Sequence, residues 1–164
     1  MDNERILHLI KAPKKIIKKP TRETKLIKGS YRNDFEVALL ENESTKLKVH
    51  LRKNKKFSEH FSVILTYFVP ELGKDIILLR YNGVHIHKNK IIDREEFDSF
   101  HIHQATAEAI SAGFNSECWA YDAKDYKSFE EAVNKFWEDV GIEDDINKFF
   151  KDCKVVQLFL FEQK

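Results

Sequence analysis

Two His-x-His pairs, His85/His87 and His101/His103, hold four of the seven histidines of this 164-residue chain. In an extended segment, side chains two apart point to the same face. Each pair therefore presents two imidazoles side by side, and neighbouring strands would bring all four together. Imidazole binds metals and exchanges protons near neutral pH, so two chemistries are open. As ligands, His85, His87, His101 and His103 would hold zinc or another divalent metal, with Cys118 and Glu108 as further donors. A structural zinc takes four N or S donors, and a catalytic one leaves a position for water. As metal-free acid–base groups, His101 and His103 would be catalytic residues of a ribonuclease in which Lys or Arg stabilises the charged transition state, and Arg80, Arg94 or Glu96 would complete the residue types. The alternative without chemistry is a pair of segments whose alternate positions are histidine, solvated or hydrogen-bonded.

The net charge of +1 conceals an asymmetry. Residues 1–56 carry 16 Lys/Arg against 7 Asp/Glu, and residues 57–164 carry 12 against 20. A basic third joined to an acidic remainder points to a polyanion-facing surface at one end. The basic residues to consider for nucleic acid or an acidic protein partner are Lys14, Lys15, Lys18, Lys19, Arg22, Lys25, Lys28 and Arg32. Apart from Tyr31, aromatic residues that would stack on bases are missing from this stretch.

These residues must be positioned by the elements around them. Glu4–Lys11 has the pattern of a short amphipathic helix, and Pro13 and Pro20 then discourage a continuous one. Residues 12–33 read as an extended or mobile basic arm, which divides the chain into a basic N-terminal helix and arm (1–33) and a single α+β domain (34–164). Phe35–Leu40 and the alternation of Leu47, Val49 and Leu51 with Lys46, Lys48, His50 and Arg52 predict a hairpin. Phe61–Phe68 and Ile76–Tyr81 predict a second. Residues 84–98 read as a loop, Ser99–Gln104 and Glu117–Tyr121 as strands, and Ala105–Ala112 as a short helix. Ser128 and Glu131 form a capping box for a helix striped with Phe129, Val133, Phe136, Trp137 and Val140, which Gly141 stops. A short helix at Glu143–Phe150 and a strand at Val155–Phe161 follow. The aromatics Phe114, Trp119, Tyr121, Phe129, Phe136 and Trp137 read as core. The fold class is α+β, a mainly antiparallel β-sheet with C-terminal helices packed on one face.

Composition excludes other classes. A hydrophobic content of 42% with thirteen Phe marks a globular chain. No apolar run approaches the roughly twenty residues that span a bilayer, so no membrane partner is expected. Two distant cysteines, Cys118 and Cys153, fit reduced thiols, and with no signal-peptide pattern at the N-terminus the expected location is cytoplasmic. No Gly-rich phosphate loop, nucleophile elbow or His-Glu-x-x-His motif occurs.

The run from Ile76–Tyr81 through Asn82-Gly83 to Phe100-His101-Ile102-His103, then Trp119-Ala120-Tyr121 and a helix, resembles a family of uncharacterised small bacterial and phage proteins. Their core passes from a strand hairpin to a Pro-His-Leu-His strand, a Trp-Ala strand and a helix, and similar proteins occur in toxin–antitoxin pairs. The resemblance spans residues 34–142 and rests on His101, His103, Trp119 and Ala120. Phe100 replaces the proline, and Gln104-Ala105 the aromatic after the second histidine. It implies an accessory protein of a mobile element. The expected function is binding of nucleic acid or an acidic macromolecular partner. The alternatives are a toxin-like ribonuclease using the histidine cluster, and an inhibitor or immunity protein binding through its acidic helices around Glu130–Asp145.

Overall fold

The computed structural model describes residues 1–19, 25–84, 87–88, 96–97, 99–114 and 118–152, with residues 87–88, 96–97 and 151–152 described by their backbone. Asp2 caps the first helix, its carboxylate accepting from the Arg5 N–H at 2.7 Å, and α1 (Asn3–Lys11) buries Ile6, Leu9 and Ile10 at helical spacing. Two short strands, β1 (Lys14–Lys18) and β2 (Lys25–Ile27), then pair antiparallel with one edge of β3 (Ser30–Leu39). The meander continues through β4 (Lys46–Asn54), β5 (Phe61–Val69) and β6 (Lys74–Asn82). The short strands β7 (His87–Lys88) and β8 (Glu96–Phe97) pair only with each other among the described residues, within the stretch expected to be a loop. After them β9 (His101–Gln104) joins β6, α2 (Ala107–Ser111) intervenes, and β10 (Ala120–Asp122) pairs with β9. Helices α3 (Phe129–Asp139) and α4 (Ile146–Asp152) follow. The sheet order is β1-β3-β4-β5-β6-β9-β10, every pairing antiparallel, so the fold is α+β.

Strand alternation separates two faces. Phe35, Val49, Leu65 and Leu79 stand in register across four strands, all buried. On this face α3 lays Trp137 at 5.8 Å from Phe35, Phe129 at 5.4 Å from Phe61 and Phe136 at 5.5 Å from Tyr81, as ring centroids. Phe149 of α4 meets Phe35 at 5.0 Å. The Ser128 hydroxyl accepts from the Glu131 N–H at 3.2 Å, and the Glu131 carboxylate reaches back to the Lys127 N–H at 2.7 Å. The capping signal thus places the start of α3 where the sequence puts it.

The stretch expected to be an extended or mobile basic arm is extended and, in its described residues, built into the sheet. Residues 14–18 are an edge strand of the sheet, and the 33/34 boundary falls inside β3. Backbone N–H and C=O groups in this stretch gain ladder partners along β3 that a solvated tail would not have. The aromatic expectation holds for Phe129, Phe136 and Trp137, but Phe114 and Tyr121 are exposed. Phe114 follows the turn at Gly113, and Tyr121 stands on the short strand β10. The expected strand Val155–Phe161 and Cys153 lie outside the described residues.

The largest departure is Lys14, which is 0% exposed. Its Nζ donates to the carbonyls of Ile10, Ala12 and Val140, each at 2.7 Å. The last carbonyls of a helix have no intrahelical partner and carry its negative dipole end. One ammonium therefore satisfies the C-terminal ends of both α1 and α3. The backbone repeats the link, with the Lys14 N–H bonded to the Gly141 carbonyl at 2.7 Å and the Glu143 N–H to the Lys14 carbonyl at 2.9 Å. Gly141 sits at φ 67°, and a Cβ there would come within 2.9 Å of the Lys11 carbonyl, so the close approach requires glycine. Lys14→Met leaves three carbonyls without their donor and is expected to lower stability by at least about 3 kcal/mol in urea unfolding. Burial pushes the Lys14 ammonium down from its ordinary value, and the three carbonyls at the two helix ends oppose that by holding its protons.

Candidate functional site

On the face opposite Phe35 and Leu65, cross-strand register assembles two polar rows. The first runs Arg32, Arg52, Ser62, Asn82, His101 and Asp122 across β3, β4, β5, β6, β9 and β10. The second runs Asp34, His50, Ile64, Arg80, His103 and Ala120. Paired residues in an antiparallel sheet share a face, so residues far apart in sequence become neighbours.

The rows open into a cleft of about 480 Å³ lined by Ser30, Arg32, Arg52, Lys53, Asn54, His60, Phe61, Ser62, Ile64 and Arg80. No carboxylate is among the described residues that line it. Arg32 and Arg52 lie directly opposite one another, an arrangement that costs stability in a sheet unless a negative charge joins it. Arg52 is partly neutralised by Asp34, whose Oδ1 accepts from its guanidinium at 2.6 Å and contacts His50 Nδ1 at 2.9 Å. Burial raises the Asp34 carboxyl, but the hydrogen bonds from His50 and Arg52 outweigh it and hold it at about 2. Arg32 Nε is buried with no hydrogen-bond partner among the described residues. Arg80 is oriented by Nε donating to Asn82 Oδ1 at 2.9 Å, and Asn82 also accepts from the Ser62 hydroxyl at 2.6 Å. Planar guanidinium donors held this way suit the oxygens of a phosphate or carboxylate.

Two hairpin tips flank the cleft. The β2–β3 turn and the β4–β5 turn are joined by the Lys55 N–H bonding to the Gly29 carbonyl at 2.9 Å. This contact gathers Lys25 and Lys28 with Lys55 and Lys56, all exposed. Lys28 adopts φ 49° and Gly29 φ 75° in the two-residue turn. Such turns favour Asn-Gly, and a lysine there accepts backbone strain.

His101 and His103 are the two histidines of the expected cluster whose side chains are described. His101 is 0% and His103 4% exposed, with ring centroids 5.1 Å apart. His101 Nδ1 lies 2.7 Å from the Ser99 carbonyl, which requires the N–H there, so Nε2 accepts from Asn82 Nδ2 at 3.4 Å. The Tyr126 hydroxyl lies 2.8 Å from the His101 carbonyl and 3.0 Å from that of Asn82. The His101 ring thus bridges β6 to the start of β9. Among the described residues no three His, Cys, Asp or Glu side chains come together to hold a metal. His85 lies outside the described residues and His87 is described by its backbone, so of the four expected zinc ligands the side chains of His101 and His103 are the ones placed. Glu108 binds the Asn3 side chain at 3.0 Å, and Cys118 is buried.

No protein-family model, curated protein or solved structure matches this chain.

Of the basic residues singled out in the sequence, the structure brings together Lys25, Lys28 and Arg32. Lys14 is removed from consideration by burial, since its ammonium is consumed by backbone carbonyls. Lys15 pairs with Glu43 at 2.5 Å and Lys18 with Glu36 at 3.8 Å, away from the cleft, and Lys19 is exposed beyond β1. Arg22 lies outside the described residues. Sequence reasoning missed Arg52, Lys55, Lys56, Phe57 and His60 as site members. The run Arg52-Lys53-Asn54-Lys55-Lys56 was the available signal, a basic tract at a strand end. Lys28→Asn should relieve the turn and raise stability by about 0.5–1 kcal/mol, read as a higher urea midpoint. Asp34→Asn should remove the acid sensitivity this carboxylate confers. Its stabilisation is complete above 3.8 and lost as pH falls toward about 2, so the variant's unfolding curve should be flatter over that range.

Proposed function

We propose that this protein is a nucleic-acid-binding module whose phosphate site is the arginine cleft at the β3–β6 end of the sheet. The carrying observation is the convergence of Arg32, Arg52 and Arg80 on one cleft with no carboxylate among its described lining residues. Contacts to phosphates supply most of the affinity of such proteins and make it salt-dependent. The acidic remainder of the chain keeps the polyanion at one end rather than over the whole surface. The resemblance around His101 and His103 adds a bacterial or phage mobile-element setting to this reading.

Binding is favoured over ribonuclease chemistry because the His101 ring is committed on both nitrogens. Nδ1 faces the Ser99 carbonyl and Nε2 faces Asn82. A general base must reach the proton it abstracts, and this imidazole is occupied in joining strands.

Removing residues 1–33 would delete α1, β1, β2 and the first residues of β3, so point substitutions are the proper probe. Fluorescence anisotropy with a labelled oligonucleotide should give an affinity that falls steeply with salt. Replacing Arg32 and Lys55 by glutamine should lower the salt slope by about 0.7 for each single-strand phosphate contact removed. Replacing Lys15 and Lys18 by glutamine should leave both affinity and slope unchanged. Equal effects of the two pairs, or no binding by the unaltered chain, would sink the proposal.

A further inference from the structure

The cleft explains how a phosphate backbone is held but not whether the bound strand is paired. The β4–β5 tip addresses that question. Phe57 is 58% exposed at the end of this turn, the most exposed large apolar side chain among the described residues. Its position is built rather than incidental. Asn54 Oδ1 accepts from the backbone N–H groups of Lys56 at 2.8 Å and Phe57 at 3.0 Å. The His60 N–H closes the turn on the Phe57 carbonyl at 3.0 Å. The Phe57 and His60 rings lie 5.1 Å apart, tilted by 37°. Asn54 and His60 themselves line the arginine cleft. An aromatic surface thus continues directly from the phosphate site, edged by Lys55 and Lys56.

Exposed phenylalanine in water gains nothing from its position, and a well-braced one beside guanidinium groups fits a flat, apolar partner attached to phosphates. A nucleobase has that form. Bases in a duplex are already stacked and covered, whereas a single strand can offer its faces to aromatic side chains while a basic groove follows its backbone. Steric shape agrees, because Phe57 stands on a protruding hairpin tip that a splayed base can reach.

We propose that Phe57, supported by His60, is a base-stacking platform that makes the site selective for single-stranded nucleic acid. The inference rests on the arginine cleft as the phosphate site. The platform reads base faces and the cleft reads phosphates, so the two can be separated experimentally.

The experiment is anisotropy titration of the full chain with a labelled single-stranded RNA, the DNA of the same sequence and the corresponding duplexes. The single strands should bind more tightly than the duplexes. Phe57→Ala should weaken single-strand binding by about tenfold while leaving duplex binding and the salt slope unchanged, and Phe57→Trp should restore it. Phe57 is exposed, so both variants should retain the wild-type circular dichroism and melting curve. Unchanged single-strand affinity in Phe57→Ala, or equal losses for single strand and duplex, would overturn the stacking platform. If that happens while Arg32→Gln still weakens binding, the cleft stands and only the platform fails. If the unaltered chain binds neither form, both readings fail together.

Discussion

The buried ammonium of Lys14 is the point on which the chain's layers are joined. It lies at the start of the edge strand β1, at the end of α1 and against the end of α3. Both helices end with carbonyls that need donors, and both endings are enclosed by the protein. A solvent-exposed pair of helix ends could use water. Here a flexible four-carbon stem crosses the gap and delivers three N–H groups to three carbonyls. The glycine at 141 allows the α3 end to approach the α1 end closely enough for this. The polar bond therefore decides how the helices are placed, and the apolar contacts of Ile6, Leu9, Phe136 and Val140 fill the space that remains.

That arrangement gives the two faces of the sheet different duties. The face bearing Phe35, Leu65 and Tyr81 is committed to packing, with aromatic rings from α3 and α4 covering it. The other face carries the hydrogen-bonded row from Ser62 through Asn82 to His101. Buried polar groups are costly unless paired, and these three are paired with one another across adjacent strands. The network also orients Arg80 through Asn82, so the part of the structure that satisfies polar atoms also fixes a guanidinium. His101, part of the most conspicuous chemistry in the sequence, is joined to this framework through Asn82 and Ser99.

At the mouth of the cleft, stability is set aside. Arg32 faces Arg52, Arg32 Nε is unpaired among the described residues, and Lys28 occupies a left-handed turn position. Each would be more stable with a different residue. They share one end of the sheet, where local choices that oppose folding commonly mark a binding surface. Asp34 limits the repulsion by neutralising Arg52 in part, and it does so from the neighbouring row rather than from the cleft itself.

By itself the sequence determined the elements whose information is local. The alternation in β4, the capping residues of α3, the apolar stripe of that helix and the α+β class are all legible, because strand and helix periods and caps depend on residues a few positions apart. The excess of positive charge near the N-terminus is legible for the same reason. Tertiary structure alone decided what that charge does. Lys14 reads as one more solvated lysine until two helix ends, at Ile10 four residues before it and at Val140 126 residues after it, close around it. Arg32, Arg52 and Arg80 become neighbours only through strand register, which depends on how each strand's apolar side meets the core and on turn geometry. The His-x-His spacing correctly placed His101 and His103 on one face, but their burial and hydrogen bonding come from neighbouring strands. Residue spacing specifies which way a side chain points; the partners that wait there are set by the packing of the whole chain.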